Sequence, residues 1–306
     1  MWVKRGLRLN KKYYRNLAAI IITFFIFYLI FKYVDIHQVI SIIRNANQPI
    51  LGLVFLLTVL IPAIQAKRWL IILKVMGYDL CYSEGVRVVM ATHPFASITP
   101  SKSSDFIKIY YVKDKIPPTK TAGSVLTEKA LDISTLLVFC VIGSLFYPNP
   151  LTIIIIILLI FFIIYFIISY LELNLPISTE INQKFRNIFS STKLLMTDKK
   201  SFFIALVYTI SLWFIAIIQS ALLLSSLRME VPFLFIMANM PIAIFMGQIP
   251  ITLGGMGTRD VSIIELFSNY GTPSELLAVG LLFTFFRYWV LSIIGIPFMQ
   301  KSLIRH

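Results

Sequence analysis

The sequence predicts an all-α polytopic membrane protein, with about six full transmembrane helices and two oppositely oriented re-entrant hairpins arranged as an inverted repeat. Three observations predict it. Of 306 residues, 58% are hydrophobic and only 14% are charged, against about 45–50% and about 25% in soluble domains. Several apolar runs reach the ~20 residues needed to span a bilayer. Two further apolar stretches are short, interrupted by proline and followed by polar breaks. Seven to eight plain spans is the alternative layout.

The elements follow in order within one transmembrane domain, 1–306. Residues 1–16 form a basic, cytoplasmic N-terminus carrying Lys4, Arg5, Arg8, Lys11, Lys12 and Arg15. The apolar run 17–34 is too long for a signal-peptide core and lacks a small-residue cleavage site, so it reads as a retained anchor. Spans are expected at 50–66, 130–147, 151–170, 202–226 and 276–299. YPNP (147–150) is a tight turn between two of them, and the polar loop 171–201 is expected in the cytoplasm.

The short stretches lie at 85–98 and 233–250. Each runs into a small, polar break, TPSKSSD (99–105) or TLGGMGTRD (252–260), then a short amphipathic helical stretch, a proline and a full span. Non-helical backbone at membrane depth survives only where protein or a wet cavity satisfies it, so the segments 85–115 and 233–270 are read as re-entrant hairpins. The same interval separates Asp105 from Pro118 and Asp260 from Pro273. This matching spacing suggests two copies of one unit, 50–147 and 202–299, and counting crossings makes them opposite in direction.

Charge supports that layout. Lys+Arg total 28 against 14 Asp+Glu, and with the N-terminus inside, the cations outside the cytoplasmic segments are Lys32, Arg44, Arg228, Arg259 and Arg287. The bias obeys the positive-inside rule and places the C-terminus in the cytoplasm as well. The basic excess therefore reports orientation and anionic lipid, not nucleic acid. Two cysteines and three scattered histidines offer no metal site, and no nucleotide-binding GxxxxGK[ST] stretch occurs. No cofactor is expected.

A charge near the bilayer centre costs about 2.5–3.5 kcal/mol, so the misplaced charges mark a candidate site. In TEKALD (127–132), Glu128 and Asp132 stand at i and i+4 on one helix face. Their repulsion calls for cations, and Arg68, Lys102 and Lys108 are the natural ones. The plainer reading makes the two acids helix N-terminal residues favoured by the dipole and makes Arg68, with Lys67, a positive-inside anchor. Arg287 lies mid-span in FFRYW, where Asp260 or Glu265 is the expected partner; such a pair can also be purely structural. Gly254, Gly255 and Gly257 permit close backbone approach, and beside Arg259 they suit an anionic phosphate. Pro100 marks the first structural break. Lys113, Lys115 and Lys120 read as a headgroup-facing run, and His93 as a buried hydrogen-bonding group.

These motifs carry a resemblance. PSKSSDFIK (100–108), TEKALD (127–132) and IPITLGGMGTRD (249–260), with Ala278 and Arg287 downstream, resemble the signatures of the lysylphosphatidylglycerol synthase transmembrane region, the flippase-like or UPF0104 family. Ser101 and Ser104 stand where that family usually has glycine, Lys102 and Lys108 where it has arginine, and Asp105 and Asp260 where it has glutamate. The resemblance spans essentially the whole chain and implies a protein handling lipids or lipid-linked sugars.

The expected function is that of a lipid flippase or transporter for an anionic phospholipid or a polyprenyl-phosphate-linked sugar. In it, Arg68, Lys102, Lys108, Arg259, Arg287 and the three glycines hold phosphate, while Asp105, Glu128, Asp132 and Asp260 balance charge or respond to protons. The alternatives are a membrane-embedded glycosyl- or headgroup-transferase and a non-catalytic envelope-assembly scaffold. Enzymes of envelope glycan or lipid biosynthesis are the expected protein partners. The aminoacyl-transferring domain of bifunctional relatives has no counterpart in these 306 residues.

Overall fold

In the computed structural model, the residues described are 34–96, 99, 103–148, 152–171, 190–249 and 251–303, with 21, 24, 25, 28 and 30. Most of the anchor 17–34, Pro100, Lys102 and most of the loop 171–201 lie outside them. The described residues contain helices and no strands. Four helices are long and apolar enough to cross a membrane: Gln48–Val75, Pro118–Phe146, Lys199–Ser226 and Pro273–Met299.

Helix α1 (Ile36–Arg44) is capped by Asp35, whose carboxylate accepts the His37 N–H at 2.8 Å. Helix α2 (Gln48–Val75) is capped by Asn47, and α3 (Tyr82–Ala96) follows. A 3₁₀ turn at Ser103–Ile107 leads into the short α4 (Lys108–Val112). Pro118, at a first-turn position where its missing N–H costs nothing, starts α5 (Pro118–Phe146). The apolar α6 (Thr152–Leu171) comes next. Residues 190–197, expected as loop, are helical.

The second half repeats the order of α2 to α5. Asp198 caps α7 (Lys199–Ser226) through the Ser201 N–H at 3.2 Å. Helix α8 (Phe233–Met246) continues through Pro241, and α9 (Thr258–Leu266) follows the glycine break. A capping box between Thr272 and Glu275 starts α10 (Pro273–Thr284). A π-helical turn, Phe285–Val290, joins it to α11 (Leu291–Leu303).

Helices α2 and α7 are each 28 residues long and pack antiparallel. At one end the Asn47 N–H donates to the Ser226 carbonyl at 2.8 Å; towards the other, Arg68 meets Thr209 at 3.2 Å. Between these, Gln219 donates to Thr58 at 2.8 Å. Counted from the helix starts, Thr58 and Thr209 hold the same place, and so do Arg68 and Gln219. The two contacts are therefore one contact with the helices exchanged, the pattern a local two-fold axis produces. The short helices cross over in the same fashion: α3 lies along α11 and α8 along α5. Glycine permits both crossings. A Cβ on Gly295 would stand 2.5 Å from the Met90 carbonyl oxygen, and one on Gly143 would overlap the Ala238 backbone.

The core lies where these elements meet, with Val54, Leu136, Ala216, Met240, Ala243, Phe283 and Phe286 in one cluster. Outward-facing apolar side chains, Leu56, Ile153 and Phe161 among them, are mostly exposed, as lipid-facing residues are.

Two boundaries differ from expectation. Helix α2 continues past Lys67 and Arg68 to Val75, because Arg68 turns inward instead of anchoring at the interface. Helix α5 starts well before residue 130, at Pro118, so Glu128 and Asp132 lie beyond the first turn, where the helix dipole no longer acts.

Candidate functional site

At about 1.5 Å per residue, Arg68 lies some 30 Å from the start of α2, and its side chain is 4% exposed. Its guanidinium forks onto Asp132, Nη1 to Oδ1 at 2.5 Å and Nη2 to Oδ2 at 3.2 Å. Such a bidentate pair is among the stronger charge-assisted contacts. Nη2 also reaches Glu128 Oε1 at 3.4 Å. Because Glu128 and Asp132 are one helical turn apart on α5, one guanidinium bridges both and removes their mutual repulsion.

Helix α4, though only five residues long, sets Lys108 on the other side of Glu128. Lys108 Nζ donates to Glu128 Oε2 at 2.6 Å and lies 5.0 Å from the centroid of the Trp69 ring. Trp69 is fixed in turn by its indole N–H, which donates to Ser124 Oγ at 3.0 Å. Asp105, in the 3₁₀ turn, pairs with Lys129. Three cations thus meet three carboxylates, all presented by α2, α5 and the segment between α3 and α5.

Arg287 approaches from the second helix set. The π-helical turn adds a residue to the local helical repeat, a device common at functional sites. The expected ion pair with Asp260 or Glu265 does not form. Arg287 Nη1 instead donates to Gln219 Oε1 at 2.8 Å, while the Gln219 amide donates to Thr58 Oγ1 and to the Val54 carbonyl at 3.2 Å. Asp260 is withheld because its Oδ1 faces the Arg259 guanidinium at 3.3 Å and its Oδ2 accepts the Gly257 N–H at 2.9 Å.

Arg68, Asp105, Lys108, Glu128, Asp132 and Arg287 line one cavity of about 50 Å³, joined by Gln65, Lys129 and Tyr288. By the same measure a water needs about 10–15 Å³. The space therefore suits a few waters, and a lipid headgroup requires surrounding elements to part.

Gly254, Gly255, Gly257, Arg259 and Asp260 form a separate cluster that does not line this cavity. All three glycines have positive φ, from 57° to 88°, and Gly255 packs directly on the Gly247 backbone. Arg259, 2% exposed, also donates to Thr284. Phe283 lies between the two clusters, its ring centroid 4.8 Å from Arg259 Cζ and 5.5 Å from Arg287 Cζ.

The profile of the lysylphosphatidylglycerol synthase TM region matches residues 16–295. The chain belongs to that family. It is a membrane protein, and its apolar helices agree with several passes through the bilayer. A UPF0104 membrane protein of Methanocaldococcus jannaschii is 26% identical over 313 aligned residues, covering 92% of this chain and 93% of the relative. Another, from Archaeoglobus fulgidus, is 25% identical over 293 residues, covering 86% and 89%. The family match takes in α1 to α10 and ends within α11.

Sequence reasoning overlooked Gln219, Lys129 and Thr209. Lys129 stands inside the TEKALD motif. Gln219, an amide within an apolar span, was visible as a polar intramembrane residue, but its partner was not.

Proposed function

We propose that this family member is a flippase-like transporter that moves an anionic phospholipid or a polyprenyl-phosphate-linked sugar between leaflets. The observation that carries this reading is one charged cavity at the junction of two helix sets whose contacts repeat with the partners exchanged. Transporters built from inverted repeats hold substrate at such a junction. Helices α3 and α8 have 15 and 14 residues, about 21–23 Å of helix, too short for a ~30 Å hydrocarbon core. That supports treating 85–115 and 233–270 as re-entrant hairpins inside two inverted units, 50–147 and 202–299. Both termini then face the cytoplasm, as does the loop 171–201, and the membrane is the cell membrane.

In this scheme Arg68, Lys108 and Arg287 attract phosphate, Asp105, Glu128 and Asp132 balance it, and hairpin displacement admits the headgroup. The glycine cluster with Arg259 and Asp260 would act at the edge of the path. A transferase needs a carboxylate available as general base; here Asp105, Glu128 and Asp132 are all engaged by cations, which favours transport. Partner enzymes of envelope lipid or glycan synthesis would supply the substrate.

The test is translocation of labelled lipids by the purified chain in liposomes. Faster exchange between leaflets than in empty liposomes, reduced at least tenfold in Arg287→Gln, is expected. Rates equal to empty liposomes for both lipid classes would overturn the reading.

A further inference from the structure

Among the described residues that line the cavity, the charges do not sum to zero. Arg68, Lys108 and Lys129 are matched by Asp105, Glu128 and Asp132 through ion pairs. Arg287 opens onto the same space and, among the described residues, forms no ion pair. Its polar contact is the neutral oxygen of Gln219 at 2.8 Å, and the Phe283 ring supplies a weaker attraction. Arginine keeps its proton at any pH the protein meets, and Arg287 is only partly buried, so its charge is presented to the cavity.

The exchange of partners shows where the missing carboxylate went. Counted from Pro118 and Pro273, Asp132 and Arg287 occupy the same place; counted from the starts of α2 and α7, so do Arg68 and Gln219. In the first helix set this pair of positions is a cation and an acid, joined at 2.5 Å. In the second set the cation has moved to the other helix, and an amide stands where an acid would complete the pair. Neighbouring positions agree: Glu128 and Lys108 of the first set correspond to Phe283 and Ile263 of the second, which are buried and apolar. The second set therefore contributes a single charge to the cavity.

We propose that Gln219 is a specificity-determining position. By holding Arg287 without neutralising it, Gln219 gives the cavity one net positive charge, and the site accepts headgroups bearing one negative charge at phosphorus. This deepens the transport reading above and rests on it. A phosphodiester, as in a phospholipid or a sugar linked through a single polyprenyl phosphate, satisfies Arg287 and leaves the neutral network intact. A phosphomonoester or a diphosphate-linked sugar brings a further negative charge against Asp132 and Glu128, where like charges repel in a medium of low dielectric. Gln219 itself acts through Arg287 and is a positioning residue.

The test is binding to the full chain in a maltoside detergent at pH 7.5, read by ligand-induced shift of the unfolding midpoint and by titration. The probes are phosphatidylglycerol, phosphatidic acid, a polyprenyl phosphate, a polyprenyl-phosphate-linked sugar, a polyprenyl-diphosphate-linked sugar and water-soluble glycerophosphoglycerol. The wild type is expected to bind the two phosphodiester lipids about tenfold more tightly than the monoesters and the diphosphate. Gln219→Glu gives Arg287 its own acid and is expected to weaken phosphodiester binding about tenfold while the ligand-free unfolding midpoint holds or rises. Gln219→Lys adds a second net charge and is expected to turn the preference towards the monoesters. If Gln219→Glu does not fold, Gln219→Lys and the wild-type headgroup series decide the matter.

Equal wild-type affinity for phosphodiester and phosphomonoester, or unchanged phosphodiester affinity in Gln219→Glu, overturns the charge rule and leaves the transport reading standing. Absence of binding to every lipid, together with absence of translocation, overturns the transport reading itself. Glycerophosphoglycerol binding as tightly as phosphatidylglycerol would show that the site serves a free phosphodiester, overturning its assignment to lipid.

Discussion

Arg68 shows how much one side chain is asked to do. It is fully surrounded, forks onto Asp132, touches Glu128 and donates to Thr209 of the opposite helix set. Removing one partner of a buried ion pair leaves an uncompensated charge and costs about 3–5 kcal/mol. Arg68→Ala is expected to lose stability on that scale, because the fork that holds Asp132 and bridges it to Glu128 is lost. Arg68→Lys is expected to recover part of it, since lysine supplies charge without the planar fork; unfolding in detergent measures both. At the surface, Asp198 is held below its ordinary pKa of 3.8 by hydrogen bonds from the Ser201 hydroxyl and N–H. A carboxylate with a depressed folded pKa contributes stability that is present above the unfolded value and lost as pH falls through the folded one. Asp198→Asn keeps a good helix cap without a titrating group. The gap in unfolding midpoint between wild type and this variant should therefore change below about pH 4 and be constant above about pH 5. A gap that is flat throughout would remove the assigned role.

At the scale of the element, the close crossings decide how the two sets interlock. Gly143 and Gly295 bring α5 against α8 and α11 against α3, with no room for a Cβ. Gly143→Val or Gly295→Val is expected to cost about 1–3 kcal/mol through overpacking. Gly52, in α2, faces open space, and Gly52→Ala is expected to be neutral or to stabilise by up to about 1 kcal/mol through helix propensity. Absence of any loss at Gly143 and Gly295, as at Gly52, would mean that helix propensity, not the crossing, governs them. These crossings also explain what sequence patterning left hidden. Proline and glycine in 85–98 and 233–250 announced interrupted helices, but nothing along the chain says that α3 packs on α11. That contact joins residues far apart in sequence and depends on surface shape, not on local propensity. The same blindness led to the expectation that Arg287 meets Asp260. Both are charges in apolar surroundings, but Asp260 is already satisfied by Arg259 and by the Gly257 N–H one turn away.

At the scale of the whole molecule, the layout can be checked with the chain's own thiols. Cys81 is exposed between α2 and α3, and Cys140 is buried in α5. Hydrogen bonds from Ser83 draw the Cys81 thiol below its ordinary value, which raises its thiolate fraction and its reactivity. A membrane-impermeant maleimide is expected to label Cys81 in inside-out vesicles and not in intact cells; labelling from outside would reverse the proposed orientation. The sequence by itself determined that the chain is a helical membrane protein of this family. Long apolar runs have few other stable forms in lipid, and charges at membrane depth are too costly to be incidental. It also marked Arg68, Lys102, Lys108, Glu128 and Asp132 as one group, since opposed charges flanking the same apolar stretches need one another; Lys102 lies outside the described residues. Tertiary structure alone decided that Arg287 meets Gln219 in place of an acid, that Arg259 and Asp260 close on each other away from the cavity, and that one net positive charge is left among the described residues lining it. Those outcomes depend on which helix faces which, and that is settled by packing across the whole fold.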